Sequence, residues 1–208
     1  MYENVTVLNH SSIKITGDTT IYFDPFEIAG EPHDADIIFI THDHYDHYSP
    51  DDIKKIINEN TIIVVPTGMK DMVTAAFAPN RVKAVYPEGL TELPTMMARA
   101  TYAYNKLKPF HPKSKKFVGY LITVDKVKYY VEGDTDNLPE NHEIKCDVAL
   151  IPVGGKFTMD YKDAAKFINT IKPKMAIPTH YGKVVGSPED GKKFAELVSE
   201  EIEVRVIL

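Results

Sequence analysis

At 208 residues, with 43% hydrophobic and 26% charged side chains, the chain can bury a substantial core and is too apolar for disorder, so one domain over 1–208 is expected. The formal net charge of −6 argues against a nucleic-acid partner, and the single cysteine, Cys146, excludes an intrachain disulfide and reads as a buried structural thiol. No apolar run reaches the length of a membrane span and Met1-Tyr2-Glu3-Asn4 lacks a basic, apolar leader, so a cytoplasmic location is expected.

Val5, Val7, Ile13, Ile15, Ile21 and Phe23 recur at alternate positions, predicting short strands with a hairpin turn at 16–19. The uniformly apolar run 37–40 predicts a strand buried on both faces, ending abruptly at Thr41-His42. Ser49 is placed to cap a helix with Pro50 and Asp52 in its first turn and an apolar stripe of Ile53, Ile56 and Ile57. Met69, Met72, Val73 and Ala76 predict a second helical stripe, in which methionine is core filling. From about 97 to 132 the chain returns to strand patterning, with 117–122 and 127–131 joined by a turn at Asp125-Lys126. Lys113, Lys115 and Lys116 read as a solvated loop tip. A buried strand at 148–151, a helix burying Ala164, Ala165, Ile168 and Ile171, and a strand at 175–177 follow. A last helix is predicted to open at 187–189 and bury Phe194, Ala195 and Val198, ahead of a closing strand at 204–207. Strand runs punctuated by helices in both halves suit two packed sheets with helices on their outer faces, without repeat or linker.

The chemistry concentrates at 41–47, where His42, His44, Asp46 and His47 follow a buried strand directly. Such a polar cluster is costly to bury unpartnered, so it faces solvent or binds a cation. In an extended stretch alternate residues point the same way, so His42 and His44 can reach one metal, while Asp46 and His47, past the bend, can reach another. Four ligands cannot close two catalytic sites. His111, Asp134 and His180 all occupy strand-end or tight-turn loops, where binding residues concentrate.

The pattern His42-x-His44-x-Asp46-His47, then Gly133-Asp134-Thr135 and Thr179-His180-Tyr181-Gly182, resembles the metallo-β-lactamase superfamily over nearly the whole chain. Within it, Asp24-Pro25-Phe26 and Pro152-Val153-Gly154-Gly155 resemble the branch containing ascorbate-6-phosphate lactonase and the N-acyl-phosphatidylethanolamine phospholipase D type enzymes. The resemblance implies an α/β fold of four layers, an αββα sandwich. It also implies a first metal among His42, His44 and His111, a second among Asp46, His47 and His180, and Asp134 bridging both. His10 is placed as a contact to substrate or to a ligand, and Asp24 as the carboxylate that orients a ligand histidine. His33 and His142 read as surface residues.

Mixed nitrogen and oxygen ligands suit two divalent ions, zinc first, with manganese or iron admitted. The expected activity is hydrolysis of a lactone, ester, amide or phosphodiester bond in a small molecule by a hydroxide shared between two metals, with Asp46 and Asp134 as the catalytic carboxylates. Two alternatives are an RNase Z-like nuclease, against which the acidic balance counts, and a metal-binding or regulatory protein without turnover. A flavodiiron oxidoreductase is disfavoured, because that family places a glutamate where His44 stands and no flavin domain follows.

Overall fold

A computed structural model describes residues 4–208, so the Met1-Tyr2-Glu3 part of the N-terminal segment read above lies outside the described residues. The first half builds β1 (Val5–Asn9), β2 (Ser12–Ile15), β3 (Ile21–Phe23), β4 (Ala35–Phe39), α1 (Pro50–Ile56), β5 (Ile57–Pro66), α2 (Lys70–Ala76) and β6 (Val82–Val85). These six strands form one sheet in sequence order, antiparallel from β1 to β3 and parallel from β3 to β6. The second half adds β7 (Leu90–Glu92), β8 (Met97–Tyr102), β9 (Val118–Val124), β10 (Val127–Val131), β11 (Val148–Pro152), α3 (Tyr161–Ile171), β12 (Met175–Thr179), α4 (Asp190–Ala195) and β13 (Glu203–Val204). Its sheet runs from β13 back to β7, parallel from β10 to β13 and antiparallel from β7 to β10.

The two-residue period of the strands sorts side chains into three apolar layers. Ile37 and Phe39 of β4 point between the sheets, against Val118 and Tyr120, while Ile38 and Ile40 point outward onto Ile53 and Ile56 of α1. Val148 and Leu150 of β11 face the same inner core, and Ala149 and Ile151 face Phe167 of α3 and Phe194 of α4. Three apolar interfaces between four layers make the αββα sandwich that the sequence resemblance implied. Ser49 caps α1 by accepting from the Asp52 N–H at 3.3 Å, with Pro50 in the first turn. Asp125 and Lys126, both at positive φ, form the two-residue turn that pairs Val124 with Val127.

Several expectations shift. The buried stripe at α2 is Met69, Val73 and Phe77, one face at a spacing of four, and it leaves Met72 and Ala76 exposed. The last helix starts at Asp190 because the Ser187 N–H donates to the Asp190 carboxylate at 2.7 Å and holds 187–189 as a turn; Phe194 and Val198 are buried and Ala195 only partly. The closing strand is the pair Glu203–Val204, set against Met175 and Ala176, and Val206 and Ile207 are exposed beyond it. Strands β5, β6 and β7 carry no expectation from the sequence. Cys146 is half-buried against the outer core of the second sheet, and burial pushes its thiol up to about 12. No helix of the described residues is long and apolar enough to cross a membrane.

Candidate metal centre

Every candidate side chain sits just past a strand or in the turn between two. Asp24 follows β3, His42 lies beyond β4, Asp134 beyond β10 and His180 directly after β12, whereas His111 lies between β8 and β9 and His10 in the β1–β2 turn. Asp24, His10, His111 and His180 have φ of 43–58°, the left-handed region that Asp and His enter more readily than most residues. That sharp turn swings each side chain off its strand. Gly154 lets the β11 end pass the His180 carbonyl, because a Cβ there would collide with that oxygen.

The side chains converge as two groups around one carboxylate. In the first, His111 Nε2 lies 3.0 Å from His44 Nδ1, 3.3 Å from His42 Nε2 and 3.4 Å from Asp134 Oδ2. In the second, Asp134 Oδ1 lies 3.1 Å from His180 Nε2 and 3.3 Å from His47 Nε2, and Asp46 Oδ2 stands 3.7 Å from each of those nitrogens. Ligands 2.0–2.1 Å from a tetrahedral ion stand about 3.3 Å apart, so these separations fit a small cation in either group. His47 Nε2, His180 Nε2 and Asp134 Oδ1 are buried without a well-formed hydrogen bond, a costly arrangement that a cation would relieve.

Surrounding groups aim the histidines. Asp24 Oδ2 lies 2.7 Å from His47 Nδ1, leaving Nε2 to face the second group. Thr41 fixes Asp24 in turn, donating its N–H to Oδ1 at 2.8 Å and its hydroxyl to Oδ2 at 2.6 Å, and that hydroxyl also lies 3.0 Å from His42 Nδ1. His10, fully buried, places Nε2 3.3 Å from Asp46 Oδ2, and its ring lies tilted by 40° against the His180 ring with centres 3.9 Å apart. Asn105, which carries no signal in the sequence, places Nδ2 3.2 Å from His111 Nδ1 while donating to the Phe110 and Phe157 carbonyls. His33 and His142 lie away from both groups; His33 contacts the Ile57 carbonyl and His142 the Asn137 amide.

The two groups differ electrostatically. Burial, with His47 and His111 nearby, holds His42 well below the usual imidazole range, and burial brings His111 down to about 4, so both are neutral near pH 7. Burial also opposes charge on His180, but Asp134 and Asp46 outweigh it and raise the ring to about 10. Asp134 and Asp46 are both held below the carboxylate range by neighbouring histidines despite burial. A cleft of about 550 Å³ opens over the centre, lined by Asp43, Tyr45, Phe110, Lys156, Phe157 and Val184 together with His44, Asp46 and Asp134. The lysines at 113–116 lie outside it: Lys113 pairs with Glu140 at 2.9 Å and Lys115 reaches Asp43 at 3.9 Å.

Known proteins share the family and the fold. The model of a family described as the beta-lactamase superfamily domain matches residues 4–180. A UPF0173 metal-dependent hydrolase of Pyrococcus furiosus is 30% identical over 223 residues, covering 98% of this chain and 95% of the relative. A solved structure from Parabacteroides distasonis is 28% identical with a TM-score of 0.80, covering 97% of this chain and 91% of the other. A metallo hydrolase from Ignicoccus hospitalis, 23% identical with a TM-score of 0.75 over 97% and 93% of the two chains, shares the fold. The chain therefore belongs to the beta-lactamase superfamily, with the metallo-β-lactamase fold, and within it to the UPF0173 family of metal-dependent hydrolases.

Proposed function

We propose that the chain is a two-metal hydrolase of small molecules in which His42, His44 and His111 hold one divalent ion, Asp46, His47 and His180 hold a second, and Asp134 serves both. The observation that carries this is the placement of Asp134, with Oδ2 3.4 Å from His111 and Oδ1 3.1 Å from His180. Imidazole and carboxylate donors suit zinc first, and manganese or iron next. When bound, such a pair supplies an activated water and a Lewis acid for a carbonyl or phosphoryl oxygen.

The chain's own groups complete the chemistry. Asp46 borders the cleft and the second group at once, so its carboxylate is positioned to orient the attacking water or take its proton. Asp24 and Asn105 keep ligand histidines aimed, and Phe110, Phe157 and Tyr45 give the cleft an apolar wall that limits water. A cleft of about 550 Å³ suits a small lactone, ester, amide or phosphodiester. The likeness of Asp24-Pro25-Phe26 and Pro152-Val153-Gly154-Gly155 to the lactonase and phospholipase D type branch ranks lactones and phosphodiesters first.

Elemental analysis of protein purified without chelator, followed by a panel of lactones, phosphodiesters and thioesters, tests the reading. About two transition metals per chain and turnover of at least one class are expected. A well-occupied preparation that never exceeds one metal removes the two-metal reading, and full loading without turnover on any class favours a metal-binding protein.

A further inference from the structure

The 155–159 turn faces the cleft with features that the proposed chemistry leaves unused. Gly155 and Lys156 are both at positive φ, and the turn is closed by the Gly155 N–H donating to the Met159 carbonyl at 3.0 Å. A lysine in the left-handed region is uncommon, and such conformations persist where the surroundings impose them. Here Asn105 grips the Phe157 carbonyl at 2.7 Å and the Met159 N–H donates to the Thr135 carbonyl at 2.9 Å, so the turn is fixed to the loops that carry His111 and Asp134. Lys156 is the one cation among the cleft-lining residues. Its ammonium lies 4.8 Å from the Phe157 ring centre and, among the described residues, in no ion pair, whereas Asp43 across the cleft already faces Lys115. Phe110 and Phe157 meet edge to face at 4.8 Å and form an apolar wall beside that charge.

We propose that Lys156, with Phe110 and Phe157, forms a recognition subsite for a single carboxylate on an apolar small molecule, so that the cleft selects monoanionic substrates. The proposal rests on the hydrolase reading for the word substrate, and on the cleft alone for binding. A lone ammonium beside an apolar wall matches one anionic group at the end of a hydrocarbon or aryl body. With Lys156 as the one cationic side chain on the lining, the subsite balances a single negative charge and leaves the further charges of a polyanion unmatched.

Calorimetric binding of 4-phenylbutyrate and of its neutral counterpart 4-phenylbutanamide to the metal-loaded protein tests it. The wild type is expected to prefer the carboxylate by about tenfold, as one charge-assisted contact allows. Lys156→Gln should bring the two probes to within about twofold, Lys156→Arg should restore most of the preference, and Phe110→Ala should weaken both probes alike. An undiminished preference in Lys156→Gln places the carboxylate elsewhere and overturns the proposal, as does a wild type that binds neither probe. Because binding is read, a failed substrate panel counts against the hydrolase alone. Loss of the subsite with turnover of neutral esters intact counts against the subsite alone.

Discussion

Asp134 offers one oxygen to each histidine group, and Asp134→Asn leaves one good acceptor and no charge to offset the two cations proposed there. The expected variant is soluble and melts cooperatively, holds less metal, and hydrolyses the panel's best substrate at least about 10²-fold more slowly. Activity within a few-fold of wild type would reassign the whole centre. Asp24→Asn acts one step removed, through His47, and should weaken only one of two metal-binding events by about 10- to 100-fold; calorimetric titration with zinc would separate them, and two unchanged events would deny Asp24 that role. The charge difference between the groups predicts a proton count as well. His180 carries its proton up to about pH 10 in the metal-free chain, whereas His111 has lost its own above about 4. A cation must therefore displace protons from the second group near neutrality, and its affinity should rise with pH by up to about tenfold per unit until about pH 10. Loading in weak buffer at pH 7 should acidify the solution, and loading without proton release would contradict the charge state of His180.

The strand ends translate sequence into geometry with little slack. Gly154→Ala would drive a methyl group into the His180 carbonyl and should cost about 1–3 kcal/mol while loosening the second group. A stable variant with unchanged zinc binding would show that the β11 end can move independently. Glu132, just past β10, is buried, accepts from the Tyr130 hydroxyl at 2.8 Å, and is lifted by burial from 4.5 to about 8. The folded state keeps a proton that the unfolded chain releases between those values, so this stabilisation is complete below pH 4.5 and fades as pH rises through about 8. Glu132→Gln should flatten the fall in melting temperature across that window, and parallel slopes in the two proteins would assign the effect to other groups. Much of this scaffold is legible in the sequence, because Ile37-Ile38-Phe39-Ile40 and 148–151 are apolar on both faces and so have to lie between layers. Residues 42–47 are legible for the opposite reason, since nothing but a cation or solvent suits so many polar groups at a buried strand's end. Strand β5 is obscured because Asn58, Glu59 and Asn60 interrupt it immediately after α1. Met72 misleads because an apolar residue one position off the buried face still fits a loose helical period. Asn105 stays silent because it acts through a contact with a loop distant in the chain, and Lys156 because the cleft it lines is assembled from such loops, which no local pattern encodes.

At the scale of the molecule, the centre draws on both sheets: His10, Asp24 and 42–47 lie on loops of the first, and His111, Asp134 and His180 on loops of the second. Ions held there as proposed would bind the folded state and not the separated halves, so at 100-fold excess over its dissociation constant each would contribute about 2.7 kcal/mol. Exhaustive chelation should lower the melting temperature and zinc should restore it, and superimposable melts would mean that the sheets pack without help from the centre. The position of His180 adds a temporal consequence. During synthesis every residue of the first group emerges before β12, but the second group lacks a ligand until β12 has left the ribosome and docked beside β11. On the two-metal proposal, metal content would record completed translation: a product interrupted before β12 retains each side chain of one group and can never close the other.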